Sequence, residues 1–298
     1  MIQTYTMKNQ LINWGLFLTI TVIWGSSFIL MMEGLTALTA FQVAAMRIFS
    51  AGLVLSPIAF QQLKVMPKEK IKMAVLSATI GNFIPAFLFC IAETRINSSL
   101  AGIVNALTPL FAILMGVVFF KMPFVWQKVA GVLVGFVGLC LLFVPKSDGI
   151  PFDQNQWYAL FVVAATMLYG INPNLIVKHL QGINSLHIAS IGLSCLAIPS
   201  FFILLFTGYF SSFSTDPTFL RATGASVILG VFGTAVAQIF FLMLLKRTGV
   251  VFSSLATYIM PFVAILWGVY YGEQVTRWEL ICLTIILSGV YFANKKVA

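Results

Sequence analysis

The sequence has few charged residues and no cluster of basic ones. Of its 298 residues, 8% are charged and 60% are hydrophobic, whereas soluble domains carry about 25% charged residues. This composition excludes a soluble globular protein and indicates that lipid is the solvent for most of the chain. The formal net charge of +9 comes from dispersed basic residues, so nucleic acid is not an expected partner.

Cysteine and histidine are too few and too scattered for most metal or catalytic chemistry. Cys90, Cys140, Cys195 and Cys282 lie in apolar runs without metal-ligand or C-x-x-C spacing, and we interpret them as packing residues. The two histidines leave little from which to build a zinc site or a catalytic triad. We therefore predict no metal, no cofactor and no catalytic residue.

Long apolar windows dominate the rest of the chain. About 20 apolar residues are needed to cross a hydrocarbon core of about 30 Å. Ten windows of this kind, bounded by charged, proline or polar residues, lie at 13–32, 40–60, 71–92, 98–119, 127–144, 156–178, 186–206, 222–245, 250–270 and 278–294. They predict an all-α integral membrane protein with ten transmembrane helices.

The distribution of lysine and arginine predicts the orientation of these spans. With the N-terminus inside, the inner segments hold twelve basic residues and the outer loops hold four. Because positively charged loops are retained in the cytoplasm, both termini are expected to be cytoplasmic.

An internal repeat divides the chain. Residues 109–117, PLFAILMGV, resemble residues 261–269, PFVAILWGV, at an offset of 152 residues, and Gly81 meets Gly233 at the same offset. Since five spans per copy is an odd number, the second copy enters the bilayer from the opposite face. The repeat predicts two inverted five-helix halves, residues 1–150 and 151–298, an organisation typical of secondary transporters.

Several motifs at defined places in the spans resemble one family. They are Trp24-Gly25-Ser26-Ser27-Phe28 in the first span, Arg47 in the second, Thr108-Pro109-Leu110 in the fourth, and Pro261 with Gly272-Glu273 around the ninth. Over essentially the full length, the chain is similar to the EamA family of the drug/metabolite transporter superfamily. The resemblance implies a cavity walled by spans 1, 3, 4, 6, 8 and 9, with spans 5 and 10 peripheral, and a role in moving metabolites, often outward.

The sequence departs from the family pattern in three places. Phe120-Lys121 replaces a Gly-Glu after the fourth span, Ala40 replaces a proline before the second, and Tyr169-Gly170 replaces Trp-Ala in the sixth. These departures leave the implied fold unchanged but argue against transferring a substrate from a family member.

Polar and aromatic residues near mid-span are candidates for substrate binding, because a polar group in lipid is costly unless it is paired or faces a wet cavity. These candidates are Trp24, Ser27, Asn82, Asn105, Tyr169, Asn172, Gln238 and Tyr258. For the amides the alternative role is interhelical hydrogen bonding, worth about 0.6 kcal/mol each. For the aromatic rings the alternative is core packing.

Arg47 and four prolines have predicted structural or hinge roles. Arg47 either binds a substrate carboxylate or braces neighbouring helices, and the family resemblance, which implies a position beside the cavity, favours bracing. The prolines are Pro85, Pro109, Pro173 and Pro261, which are either hinges or simple kinks.

The acidic residues are few and lie away from mid-span. Glu33 and Glu93 lie near outer span ends, where they could carry protons if buried but are expected to be exposed. Glu273 is expected to make a helix-end or loop contact. No phosphate-binding loop of the G-x-x-x-x-G-K-[ST] type is present. Facilitated transport and proton coupling through an unidentified group both stay open.

In the fifth span, Gly131-xxx-Gly135 with Gly138 predicts a close helix contact, for which another subunit is one candidate partner. The chain is therefore expected to be a monomer or a homodimer.

Together these features predict a secondary transporter, or permease, of the bacterial inner (plasma) membrane. It would export small metabolites such as amino acids by alternating access, with a small-molecule substrate and the lipid bilayer as its partners. Uptake, or carriage of nucleotide sugars or drugs, is the alternative within this class. A membrane-embedded enzyme or a structural membrane protein is the alternative outside it.

Overall fold

Helices account for nearly all of the described chain. The computed structural model describes residues 7–121, 126–142 and 154–294, and within these ranges it has no strand. The α-helices are α1 (Met7–Leu35), α2 (Ala40–Val65), α3 (Lys68–Ala78), α4 (Ile84–Glu93), α5 (Ser98–Asn105), α6 (Thr108–Phe120), α7 (Trp126–Leu142), α8 (Ala159–His179), α9 (Ser185–Phe206), α10 (Pro217–Ile228), α11 (Ala237–Ser254), α12 (Ala256–Tyr270) and α13 (Arg277–Asn294).

Eight helical stretches among the described residues are long and apolar enough to cross a membrane. They are Asn9–Leu35, Ala40–Val65, Lys68–Glu93, Ser98–Phe120, Asn155–His179, Ser185–Phe206, Pro217–Val250 and Phe252–Tyr270. The predicted fifth span contains a shorter apolar helix, Ala130–Leu142, and the predicted tenth lies in α13. A multi-span, all-helical membrane fold is thus confirmed, and length and composition assign eight of the ten predicted crossings.

Polar side chains cap the N-terminal ends of α2 and α5. The Thr39 hydroxyl accepts from the backbone N–H of Gln42 at the start of α2, and the Gln42 side chain accepts from the Thr39 N–H at 2.9 Å. Asn97 accepts from the N–H of Leu100 at 2.8 Å at the start of α5. Each cap pairs a helix-terminal N–H that would otherwise lack a partner.

Two π-helical segments interrupt the long spans. The first, Thr79–Phe83, separates α3 from α4, and the second, Leu229–Val236, separates α10 from α11. They contain the repeat-related glycines: Gly81 lies against the Asn172 side chain, and a Cβ at Gly233 would lie 2.7 Å from the Ser27 hydroxyl oxygen. Only glycine permits such close approaches, and π segments occur often at functional sites.

The helix contacts join the two predicted halves throughout. α2 packs on α9, α7 on α13, α1 on α12, and α6 on α8. At the repeat offset, α1 corresponds to α8, α2 to α9, α6 to α12 and α7 to α13. Exchanging each helix for its counterpart turns the α1–α12 pair into the α8–α6 pair and leaves the α2–α9 and α7–α13 pairs unchanged. The predicted halves therefore share one packed interior.

The glycines of α7 contact α13 of the same chain. A Cβ added at Gly289 would lie 2.6 Å from the Gly131 carbonyl oxygen, and one at Gly138 would lie 3.0 Å from the Ile286 nitrogen. Small residues allow this backbone approach. The alternative in which this motif meets another subunit is therefore wrong, because α13 already occupies the glycine face. The oligomeric state itself stays a prediction.

Candidate functional site

A cavity of about 80 Å³ lies among the helices of both halves. This volume is the space open to the centre of a water-sized sphere, and one water molecule needs about 10–15 Å³ of it. The cavity therefore has room for several water molecules. Its lining comes from α1, the first π segment with α4, α5 and α6, α8, and α11 with α12, to which α2 adds Arg47. Apart from α2, these helices form spans 1, 3, 4, 6, 8 and 9, which are the six that the family resemblance implied. Neither α7 nor α13 contributes a described lining residue.

Seven of the eight candidate substrate residues line this cavity: Trp24, Ser27, Asn82, Asn105, Tyr169, Asn172 and Gln238. Tyr258 is half-buried and is not among the lining residues, whereas its helix neighbour Thr257 is. One residue turns a helix by about 100°, which is enough to direct the tyrosine away. The structure thus brings the candidates together, and their role in binding stays a prediction.

Two amides in the lining have unused hydrogen-bonding capacity. Asn82 is 7% exposed, and its Nδ2 has no hydrogen-bond partner among the described residues. Among the described residues, the Nδ2 of Asn105 has only the Met260 sulfur as a hydrogen-bond partner, at 3.8 Å, and a thioether is a weak acceptor. Because an unpaired buried amide is costly, these donors are suited to an acceptor group on a ligand.

Arg47 provides a positive charge in the cavity wall. Its Nε donates to the Thr234 hydroxyl at 2.6 Å, and its Nη1 lies 3.8 Å from the Met31 sulfur. No described acidic side chain forms an ion pair with it, and its Nη2 has no hydrogen-bond partner among the described residues. The bond to Thr234 fits the predicted bracing role, while the unused donors fit carboxylate binding. The side chain lies in the lining rather than beside it.

Side chains of α8 hold that helix in place beside the cavity. The Asn172 Oδ1 accepts from the Ser77 hydroxyl at 2.7 Å, and the Asn174 Nδ2 donates to the Ala112 carbonyl oxygen at 3.1 Å. Asn172 and Pro173 line the cavity, but Asn174 does not. The polar run in α8 therefore serves both the lining and the contacts with α3 and α6.

Aromatic rings form another part of the wall. The Tyr169 ring stacks on Phe89 with centroids 5.9 Å apart, and the Trp24 ring lies 5.2 Å from Phe241. The Trp24 Nε1 donates to the Gly233 carbonyl oxygen at 3.1 Å, so its position depends on the second π segment. Such a surface suits an apolar or planar part of a ligand.

The polar search of the sequence missed the apolar part of the lining: Phe28, Met31, Phe89, Ala112, Phe241 and Met260. Helical spacing was the available signal, because Met31 follows Trp24 by seven residues and Ala112 follows Asn105 by seven. Residues seven apart share one face of a helix, so extending the stripe from each polar candidate would have found these two.

Of the four prolines, only Pro173 is a lining residue. Pro85 follows the first π segment at the start of α4, and Pro109 lies in the first turn of α6. Pro261 lies inside α12 and is buried. Their hinge roles stay predictions.

The acidic residues near span ends are less exposed than expected. The prediction for Glu93 was wrong: it is 3% exposed, because the end of α4 packs against α2, α5 and α8. Glu33 pairs with Arg221 at 2.6 Å. Glu273 makes the expected helix-end contact, accepting from the backbone N–H groups of Ser98 and Ser99 at 2.9 and 3.0 Å.

A multi-span helical fold with a central, partly polar cavity is typical of membrane transporters. The model of the EamA-like transporter family matches the chain twice, over residues 13–144 and residues 156–295. The protein belongs to the EamA-like transporter family.

Individual relatives differ in what their names state. A probable terminal-alkyne amino-acid exporter of Streptantibioticus cattleyicolor is 24% identical over 293 residues, covering 97% of this chain and 95% of that protein. An S-adenosylmethionine uptake transporter of Rickettsia felis is 28% identical over 146 residues, 48% of each protein. A solved crystal structure with 18% identity has a TM-score of 0.63 and covers 93% of this chain and 94% of its own, which supports the fold alone.

Proposed function

We propose that this protein is a ten-span carrier of the bacterial plasma membrane that exports small metabolites such as amino acids by alternating access. Its inverted halves are residues 1–150 and 151–298, and both termini are cytoplasmic. The observation that carries the proposal is the central cavity, in whose lining Arg47 and Asn82 offer unused donors and aromatic rings form another part.

Contacts between helix ends support ten alternating crossings. Gln42 at the start of α2 donates to the Thr207 carbonyl oxygen just after α9, at 3.0 Å. The Lys70 ammonium near the start of α3 donates to the His179 carbonyl oxygen at the end of α8, at 2.6 Å. Trp278 near the start of α13 donates to Leu141 near the end of α7, at 2.9 Å. Each bond joins two ends that the ten-span topology assigns to the same side of the membrane.

The exchange of helix contacts between halves supports the inverted repeat. Gly81 of the first π segment lies against Asn172 of α8, and Gly233 of the second lies against Ser27 of α1. Each half thus inserts its π segment beside the first helix of the other half. Halves related in this way can rock about a central site and expose it alternately to each side.

The chemistry of the lining favours a cargo with a carboxylate. The unused donors of Arg47 and Asn82 suit carboxylate oxygens, and the described lining residues include no aspartate or glutamate that would attract a cation. The Asn105 Oδ1 accepts from the Thr108 hydroxyl at 3.3 Å and keeps a second lone pair, and together with the Gln238 side-chain oxygen in the same lining it suits an ammonium group. A small amino acid with an apolar or aromatic side chain satisfies all of these groups together.

Reconstituted proteoliposomes test this proposal. Labelled amino acids should cross only when the protein is present, and Asn82→Ala should lower the transport rate about tenfold, because hydrogen bonds to a charged group contribute about 1.5–3 kcal/mol. Gln61→Ala is the matched control, since Gln61 is exposed at the far end of α2. Passage of no amino acid, or equal rates for both variants, would refute the proposed cargo site.

Uptake is the second candidate function, favoured by the Rickettsia felis relative. Vesicles of known sidedness distinguish the two directions. Faster net movement from the cytoplasmic face supports export, and faster movement toward it supports uptake.

A further inference from the structure

Glu93 is a buried carboxyl group without a partner. It is 3% exposed, and neither Oε1 nor Oε2 has a hydrogen-bond partner among the described residues. The other described acidic side chains are paired, capped or exposed: Glu33 with Arg221, Glu69 with Lys72, Glu273 with Ser98 and Ser99, Glu279 with Thr276, and Asp216 at the surface. Glu93 is thus the one described acidic side chain that is buried without a hydrogen-bond or ion-pair partner.

The surroundings of Glu93 accommodate a neutral acid better than a carboxylate. Burying an isolated ionised carboxylate costs several kcal/mol, whereas the protonated acid carries no net charge. The charged and titratable groups that act on it are Glu273 beside α5, Arg47 on α2 and Cys90 on α4 itself. Of the other described helices that pack against α4, α8 carries Tyr169, which stacks on Phe89, α1 carries Glu33, which is paired with Arg221, and the short helix Gln154–Tyr158 carries Tyr158.

Glu93 lies next to the cavity without lining it. Phe89 lines the cavity one helical turn earlier on α4, and four residues of α-helix rise about 6 Å. Arg47 is in the lining, and its helix α2 packs against α4, the helix that carries Glu93. Cargo in the cavity therefore cannot contact Glu93 directly, but it can share Arg47 with it.

We propose that Glu93 is a proton-binding site linked to the binding of the cargo's carboxylate at Arg47. An ionised Glu93 competes with the cargo for the single positive charge of Arg47, and a protonated Glu93 leaves that charge to the cargo. The proton adds to a Glu93 carboxylate oxygen and leaves it again, with no other bond formed or broken. Proton and cargo thus bind together and are released together.

This inference rests on the proposed function and sharpens it. If a proton travels with the cargo, an acidic exterior opposes export and drives uptake. Under such a gradient, export requires a steeper outward gradient of the cargo.

An infrared measurement tests the proton site without any cargo. Full-length wild-type protein in nanodiscs should show the carbonyl stretch of a protonated carboxylic acid, which disappears as pH rises. Glu93→Gln should lack this band, Glu93→Asp should shift it, and Glu69→Gln should retain it, because Glu69 is exposed and paired only with Lys72. Absence of the Glu93-dependent band from the wild type overturns the proposal.

Binding of labelled L-phenylalanine then tests the linkage. For the wild type, affinity should fall by up to about tenfold for each pH unit above the titration of Glu93, as one linked proton requires. For Glu93→Gln, which is always neutral, affinity should be independent of pH. Wild-type affinity that does not change with pH overturns the linkage. If the band is present but no amino acid binds at any pH, the proton site is supported and the proposed cargo is refuted.

Discussion

The two π-helical segments occupy equivalent places in the two halves but use their polar groups differently. In the second segment the Thr234 hydroxyl accepts from Arg47 and the Gly233 carbonyl oxygen accepts from Trp24. In the first segment the Asn82 Nδ2 borders the cavity and has no hydrogen-bond partner in the part of the chain that the structure describes. The second segment therefore positions lining side chains, and the first keeps a donor available for cargo. Two repeat-related segments with the same π-helical backbone thus carry different side chains and have different roles.

The comparison predicts that crowding the second segment has the largest effect on stability. A Cβ at Gly230 would meet the Arg47 carbonyl oxygen, which is backbone and cannot turn away. Gly230→Ala should lower the free energy of unfolding by about 1–3 kcal/mol, measured by thermal unfolding in detergent. Gly224→Ala is the control, because nothing lies within 4 Å of its added Cβ. If both variants melt at the same temperature, the close packing of the second π segment against α2 does not contribute to stability.

Removing the acceptor for Arg47 should have a somewhat smaller effect. Thr234→Val keeps the shape of the side chain but leaves the Nε of Arg47 without its partner. The expected loss is about 1–2 kcal/mol of stability, together with slower transport because Arg47 is less well positioned. If thermal unfolding is unchanged, the bond between Thr234 and Arg47 does not brace the fold.

The corresponding change in the first segment should have the smallest effect on stability and the opposite sign. Asn82→Leu removes an unpaired buried amide, which the folded state otherwise accommodates at a cost. We expect unfolding to occur at an equal or higher temperature, with a gain of up to about 1 kcal/mol, while transport in proteoliposomes falls. A destabilised variant would mean that Asn82 contributes to packing and not to binding.

Much of the fold could be predicted because it depends on local composition. Over its described residues, every predicted window lies in one or more helical segments, since a backbone in lipid must satisfy its own hydrogen bonds. Most of the polar lining was also predictable, because polar groups at mid-span are rare and costly. Met260 was not found, since an apolar residue in an apolar helix carries no signal of the face it occupies unless a polar candidate shares that face, as Trp24 does for Met31.

The exposure of particular side chains was predicted less well. Tyr258 was expected in the lining but Thr257 is found there, a difference of one residue that hydropathy cannot resolve. Glu93 was expected to be exposed because it lies at a span end, yet neighbouring helices cover it. Both outcomes depend on how a helix is rotated against others.

By itself, the sequence determined that this chain is a helical membrane protein with an internal repeat, because hydropathy, charge and self-similarity are properties of the chain alone. Only the tertiary structure decided which polar groups lack partners. The Nδ2 of Asn82 and the carboxyl of Glu93 are unpaired within the described ranges, because partners in a helical bundle come from segments distant in sequence, and their positions follow from packing.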